Sequence, residues 1–171
     1  MFIVGMSAGL WAQSTSLMAD ALDMLADALS YGIASASVTR GVSFKRISAR
    51  WSGTILLVLG IGIVVEVIRR GMSGSEPHGI VMMVFSLASL AVNVTVLKML
   101  GKFKSGEVHL RATWIFTRVD VIANIAVLIS GGLVALTGLR FIDLAVGALI
   151  GCYVVKEAIE ILRETQVKVS K

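Results

Sequence analysis

Apolar residues run almost unbroken through this chain, and short polar or charged breaks cut them into segments of nearly equal length. Uninterrupted runs extend from Phe2 to about Ala12, Leu17 to Thr39, Ser52 to Ile68, Gly79 to Leu100, Ala112 to Leu136 and Ile142 to Leu162. The breaks are QSTS at Gln13, RGVSFKRISAR from Arg40, RRGMSGSEPH from Arg69, GKFKSGEVHLR from Gly101 and TGLR from Thr137. A membrane-crossing helix needs roughly 20 apolar residues, and five of the six runs are close to that. The first is short. Strict alternation in short segments, which a membrane barrel requires, is missing. The pattern predicts an all-α integral membrane protein, a six-helix transmembrane bundle with a shortened first helix and no cytoplasmic C-terminal domain. Residues 1–165 form the expected transmembrane domain, with helices at about 1–13, 17–39, 50–70, 78–101, 109–136 and 140–164, and residues 166–171 form a short cytoplasmic tail.

Composition agrees. Of 171 residues 56% are apolar and 16% charged, and the mean hydropathy of +0.87 excludes a soluble domain. The formal charge of +5 does not point to nucleic acid, because the basic residues sit in short clusters between apolar runs, where topology and lipid headgroups account for them. Arg40, Lys45, Arg46 and Arg50 fall in one connection, Lys102, Lys104 and Arg111 in another, and Arg163, Lys168 and Lys171 near the end. The intervening connections hold only Arg69 and Arg70, or Arg140. The basic excess predicts that the first group is cytoplasmic and, with it, both termini. The opening residues lack a basic n-region and a cleavage site, which argues against a signal peptide. Internal repeats and low-complexity segments are not evident. Cys152, the single cysteine, forms no intrachain disulfide and is expected as a small buried apolar residue.

Against this background the stretch SLMADALDMLADALSY is anomalous, since it carries Asp20, Asp23 and Asp27 in the second apolar run. At about 100° per residue they fall within roughly 60° of arc, forming one acidic stripe. An aspartate near the helix centre costs about 2.5–3.5 kcal/mol, and a strong apolar residue returns only about 0.3–0.6. The stripe must therefore face protein, water, protons or a cation. Asp23 and Asp27 are read as an ion or proton site; for Asp20, nearest the QSTS turn, an interfacial or hydrogen-bonded structural role stands beside that reading. In the fifth run, TWIFTRVDVIANIAVLISGG, Asp120 and Asn124 share a helix face. Two such pairs on facing helices supply enough oxygen donors for a divalent cation. Asn93 reads as an interhelical hydrogen-bonding group, His78 and His109 as solvated loop residues, and Asp143 as a carboxylate suited to a helix N-terminus. Glu66 is expected to pair with Arg69 and Arg70, and Met82 and Met83 to make lipid or core contacts.

SLMADALDMLADAL resembles the second-helix motif of the cation diffusion facilitator family of divalent metal/proton antiporters, where alanine-aspartate-alanine is followed by a metal ligand and, four residues later, an aspartate. The similarity continues in order through FKRISA from Phe44, EVIRR from Glu66, HGIVMM from His78, Asn93, RVDVIANIAVLISGG and IDLAVGALI from Ile142. The resemblance implies efflux of a divalent transition metal in exchange for protons, with no prosthetic group. It places Asp23, Asp27 and Asp120 at ligand positions. The fourth ligand, four residues before Asp120, falls on Phe116, which cannot ligate. Asn124 is the candidate replacement, with water as the alternative.

With aspartate at position 23 the site is all oxygen, which shifts preference toward manganese-like ions within the zinc, manganese, iron, cobalt or cadmium class. The connection from Arg40 to Arg50 has no His, Asp or Glu for a further metal site. The resemblance also implies a homodimer, and the expected location is the cell (inner) membrane. Two rivals remain at this point: an intramembrane aspartyl protease using a shared-proton dyad, for which no glycine-aspartate motif surrounds Asp120, and a non-transporting scaffold or remnant.

Overall fold

The computed structural model describes residues 1–100 and 108–167, without the side chains of 34–42, 45, 100, 108–116, 164 and 166–167. Helices form over Phe2–Trp11 (α1), Thr15–Ser73 (α2), Gly79–Leu100 (α3), Val108–Thr137 (α4) and Arg140–Val167 (α5). Of the residues used for topology or read as solvated, Lys102, Lys104, Lys168 and Lys171 lie outside this description, as do the side chains of Arg40, Lys45, His109 and Arg111.

The second and third apolar runs fall within a single helical stretch of 59 residues. The basic segment between them contains no proline and only Gly41 as a helix breaker, which keeps its local backbone helical. α2 nevertheless doubles back. Leu17, Met18 and Leu22 pack with Ile63 and Val67, and Ala26 packs with Leu56. The Arg70 guanidinium reaches the Met18 sulfur at 3.8 Å, whereas a straight helix would separate those residues by about 78 Å at ~1.5 Å per residue. The reversal lies between Leu29 and Leu56, leaving a first arm (15–33) antiparallel to a second arm (46–73). The architecture is thus an all-helical bundle of six rods.

Three rods are long and apolar enough to cross a membrane by length and composition, namely the second arm at Arg46–Ser73, Gly79–Met99 of α3, and Thr117–Thr137 of α4. Their outward residues, among them Val58, Val65, Val84, Leu87, Ile122 and Ile129, are exposed and apolar, as surfaces solvated by hydrocarbon must be. α1 has ten residues, about 15 Å of helix. The first arm and α5 carry the charges that interrupt their apolarity, and α2 and α5 form the most extensive helix contact of the bundle. Leu17, Ala19, Ala21, Leu22 and Ala26 of the first arm are buried. The rods fall into two groups, α1 with α2 and α5, and α3 with α4, which meet along a sparser seam.

Several single-residue expectations are settled here. Glu66 accepts from Arg69 at 2.7 Å and Arg70 at 2.6 Å; Met82 is core and Met83 is partly exposed; His78 is exposed. Cys152 corrects its expectation. It is exposed, because α5 turns it toward the bundle's outer surface, where a small apolar side chain costs nothing against lipid.

The α3–α4 pair depends on close backbone approach. A Cβ added to Gly131 would lie 2.9 Å from the Gly79 carbonyl oxygen and 2.9 Å from the Met82 Cβ. Small residues at such crossings substitute for the hydrophobic drive that lipid removes. Gly131→Val is expected to destabilise the detergent-solubilised protein by about 1–3 kcal/mol, read as a lowered thermal midpoint.

Candidate functional site

The acidic arm is positioned from its N-terminus. Gln13 adopts a left-handed φ of 50° and turns the chain out of α1, and Ser14 then caps α2, its Oγ accepting from Leu17 N at 3.1 Å. Asp143, in the first turn of α5, meets this turn and is 0% exposed. Its carboxylate accepts from the hydroxyls of Ser14 (2.6 Å), Thr15 (2.9 Å) and Ser16 (2.6 Å), and from the backbone N–H groups of Thr15 (2.8 Å) and Ser16 (3.1 Å). One anion thus serves two helix N-termini, its own and that of α2. Gly147 permits the approach, since a Cβ there would stand 2.6 Å from Thr15 Oγ1. The lock fixes the rotation of the first arm, and therefore where its aspartates point.

The stripe points at α4. Asp120 lies within hydrogen-bonding reach of both Asp23 and Asp27. Asp23 is buried, whereas Asp27 and Asp120 are partly accessible through a cavity of about 220 Å³. That cavity is also lined by Tyr31, Ser89, Asn93 and Thr117, and Tyr31 and Thr117 are hydrogen-bonded to each other. Among the described residues no three His, Cys, Asp or Glu side chains stand as a preformed metal cage. The aspartates instead face one another across the seam, close enough to act on each other electrostatically.

The other expected residues are placed differently. Asn124 is 0% exposed, and its Nδ2 donates to the Asp120 carbonyl oxygen at 2.7 Å. Its Oδ1 is buried without a partner, and the residue is not among those lining the cavity. Asp20 is buried at the inner end of the stripe, also off the cavity, yet close enough to act electrostatically on Asp23 and Asp120. Phe116 precedes Asp120 by one turn of α4, and its side chain lies outside the described residues. Sequence reasoning missed Glu157. Its charge acts on Asp23, Asp27 and Asp120, and Tyr153 donates to it at 2.8 Å. The available signal was a carboxylate one turn after a tyrosine in the sixth apolar run. Asn93, read as an interhelical group, also lines the cavity.

This placement, a carboxylate cluster between helices inside an apolar bundle, can be set beside known proteins. The model of the cation efflux transmembrane domain matches residues 1–167. The chain belongs to the cation efflux family. Two curated members resemble it: the metal cation efflux system protein CzcD of Cupriavidus metallidurans and the cation efflux system protein CzcD of Alcaligenes sp. strain CT14. Each is 24% identical over 158 residues, covering 85% of this chain and 50% of the relative. The chain therefore spans about half the length of the curated relatives it matches. Membership in a cation efflux family makes this a multi-pass membrane protein of a transporter class, not an enzyme, and sets aside the aspartyl-protease alternative.

Proposed function

We propose that this chain carries a divalent transition-metal ion out of the cytoplasm in exchange for protons, through a site built on Asp23, Asp27 and Asp120. The observation that carries the reading is the convergence of Asp120 with both first-arm aspartates at the seam between the two helix groups. Close carboxylates resist being charged together without a cation. The cluster therefore holds either a metal ion or protons, and that competition couples the two fluxes. Rocking of one helix group against the other about the seam would expose the site alternately. The names of the two CzcD relatives, which describe cation efflux, support the direction.

Asn124 belongs to this reading as a further oxygen donor through its unpartnered Oδ1. An all-oxygen set favours manganese-like ions over zinc, within a range that includes iron, cobalt and cadmium. On the same reading the chain works as a homodimer in a cell membrane with both termini cytoplasmic. The test is reconstitution in proteoliposomes containing a trapped pH dye. An inward Mn²⁺ or Zn²⁺ gradient should drive protons outward, and no metal-dependent proton movement from the wild-type chain would overturn the proposal.

Position 116 supplies a specificity test. Phe116→His restores a nitrogen ligand one turn before Asp120, and imidazole suits zinc better than manganese. Zn²⁺ transport should rise relative to Mn²⁺ by about tenfold, the equivalent of ~1.4 kcal/mol of preference. An unchanged metal profile would count against the position.

A further inference from the structure

The cavity beside Asp27 and Asp120 has a third wall, formed by α3, whose polar members Ser89 and Asn93 lie one turn apart. The Asn93 Nδ2 is buried and has no hydrogen-bond partner. An amide nitrogen left unpaired away from water costs about 1–3 kcal/mol, so a helix that keeps one against a carboxylate-lined cavity requires an explanation. An amide presents a donor at one end and an acceptor at the other, and rotation about its last torsion exchanges them.

We propose that Asn93 is a cargo-sensing ligand: its Oδ1 joins Asp27 and Asp120 on the bound cation, while Nδ2, which has no partner, faces away from the ion. This deepens the reading of the aspartate site and rests on it. Geometry assigns Asn93 a task different from that of Asn124. Asn124, tied through Nδ2 to the backbone of Asp120, offers its Oδ1 from the same helix as Asp120, whereas Asn93 lines the cavity from a separate helix. Asn93 and Asp120 both ride on the α3–α4 group, and Asp27 rides on the other. The amide therefore stays with Asp120 when the groups move apart, and tunes how firmly that half retains the ion. A neutral oxygen donor adds coordination number without charge, which suits ions that take five or six oxygen ligands.

The test measures Mn²⁺ binding to the purified full chain by calorimetry, with thermal unfolding alongside. Asn93→Ala should weaken Mn²⁺ binding about tenfold or more. Asn93→Asp, nearly the same shape with an added charge, should tighten it by about as much and slow turnover in proteoliposomes. A merely structural asparagine predicts instead that both variants lower the unfolding midpoint and neither tightens binding, and that result would overturn the proposal. So would wild-type affinity in Asn93→Ala. Should that alanine variant fail to fold, Asn93→Asp decides alone by whether binding tightens. Asp27→Ala and Asp120→Ala separate the two levels. If they lose Mn²⁺ while both Asn93 variants match wild type, only the cargo-sensing inference fails; if they keep wild-type affinity, the aspartate site fails with it.

Discussion

Asp27→Ala and Asp120→Ala should each abolish metal-driven proton flux in proteoliposomes while leaving insertion and helix content intact. Both side chains are partly accessible through the cavity, so truncation removes charge without opening a hole in a close-packed core. The fold is held elsewhere, by the α2–α5 contact and the glycine-mediated α3–α4 crossing. Function has no such reserve. Asp120 is the only carboxylate among the described residues of α4, and losing it leaves the first-arm pair without an opposing ligand. The expected drop is about 100-fold or more, since even outer-sphere partners of metal sites are worth 10–100-fold. Flux is read with the trapped dye, and folding by circular dichroism and gel filtration. Normal transport by both variants would remove the site assignment.

The largest structural effect is expected at Asp143. Replacing it with alanine removes the carboxylate acceptor shared by three hydroxyls and two backbone N–H groups in a fully buried pocket, leaving the hydroxyls only the weaker Ser14–Ser16 contact and the Asp143 carbonyl. Each hydrogen bond to a charged group contributes about 1.5–3 kcal/mol, and unsatisfied donors carry a further penalty. These terms are not additive, and breaking one buried charged network typically costs about 3–5 kcal/mol. Asp143→Ala should therefore lower the thermal midpoint more than any other single substitution named here, and should also weaken metal binding by releasing the rotation of the acidic arm. Asp143→Asn is a sharper probe. It keeps the volume but turns a donor toward donors, so it should destabilise as well. A wild-type midpoint in both variants would show that the α2 turn holds without the carboxylate.

Much of this was legible in the sequence, for identifiable reasons. Membrane helices advertise themselves because lipid allows no compromise on hydropathy, and the aspartate stripe was visible because 3.6-residue periodicity alone puts Asp20, Asp23 and Asp27 on one face. The structure brings Asp23, Asp27 and Asp120 near one another. What escaped were relations between distant positions. Asp143 reads locally as a carboxylate at the start of its own helix; nothing in IDLAVGALI announces QSTS as its partner. Asn93 could be recognised as polar but not as a cavity wall, since that depends on how α3 is rotated. Glu157 follows Lys156 and looks like an interfacial charge until α5 is packed against the first arm. The reversal inside α2 was legible as well, since the basic segment from Arg40 falls between the two antiparallel arms.

The Asp143 lock also orders the chain's assembly in time. Its two halves are 128 residues apart in sequence, so the turn that caps the acidic arm is made long before the carboxylate that satisfies it. At ribosomal rates of roughly 5–20 residues per second, that interval is about 6–26 s. For that period the helix with three aspartates is in or near the membrane without the partner that sets its orientation. It must wait at the insertion machinery or the interface, because three unpaired carboxylates are poor guests in hydrocarbon. Completion of α5 is then the event that commits the arm to the bundle, so a helix made late governs when an acidic segment made early becomes part of the native protein.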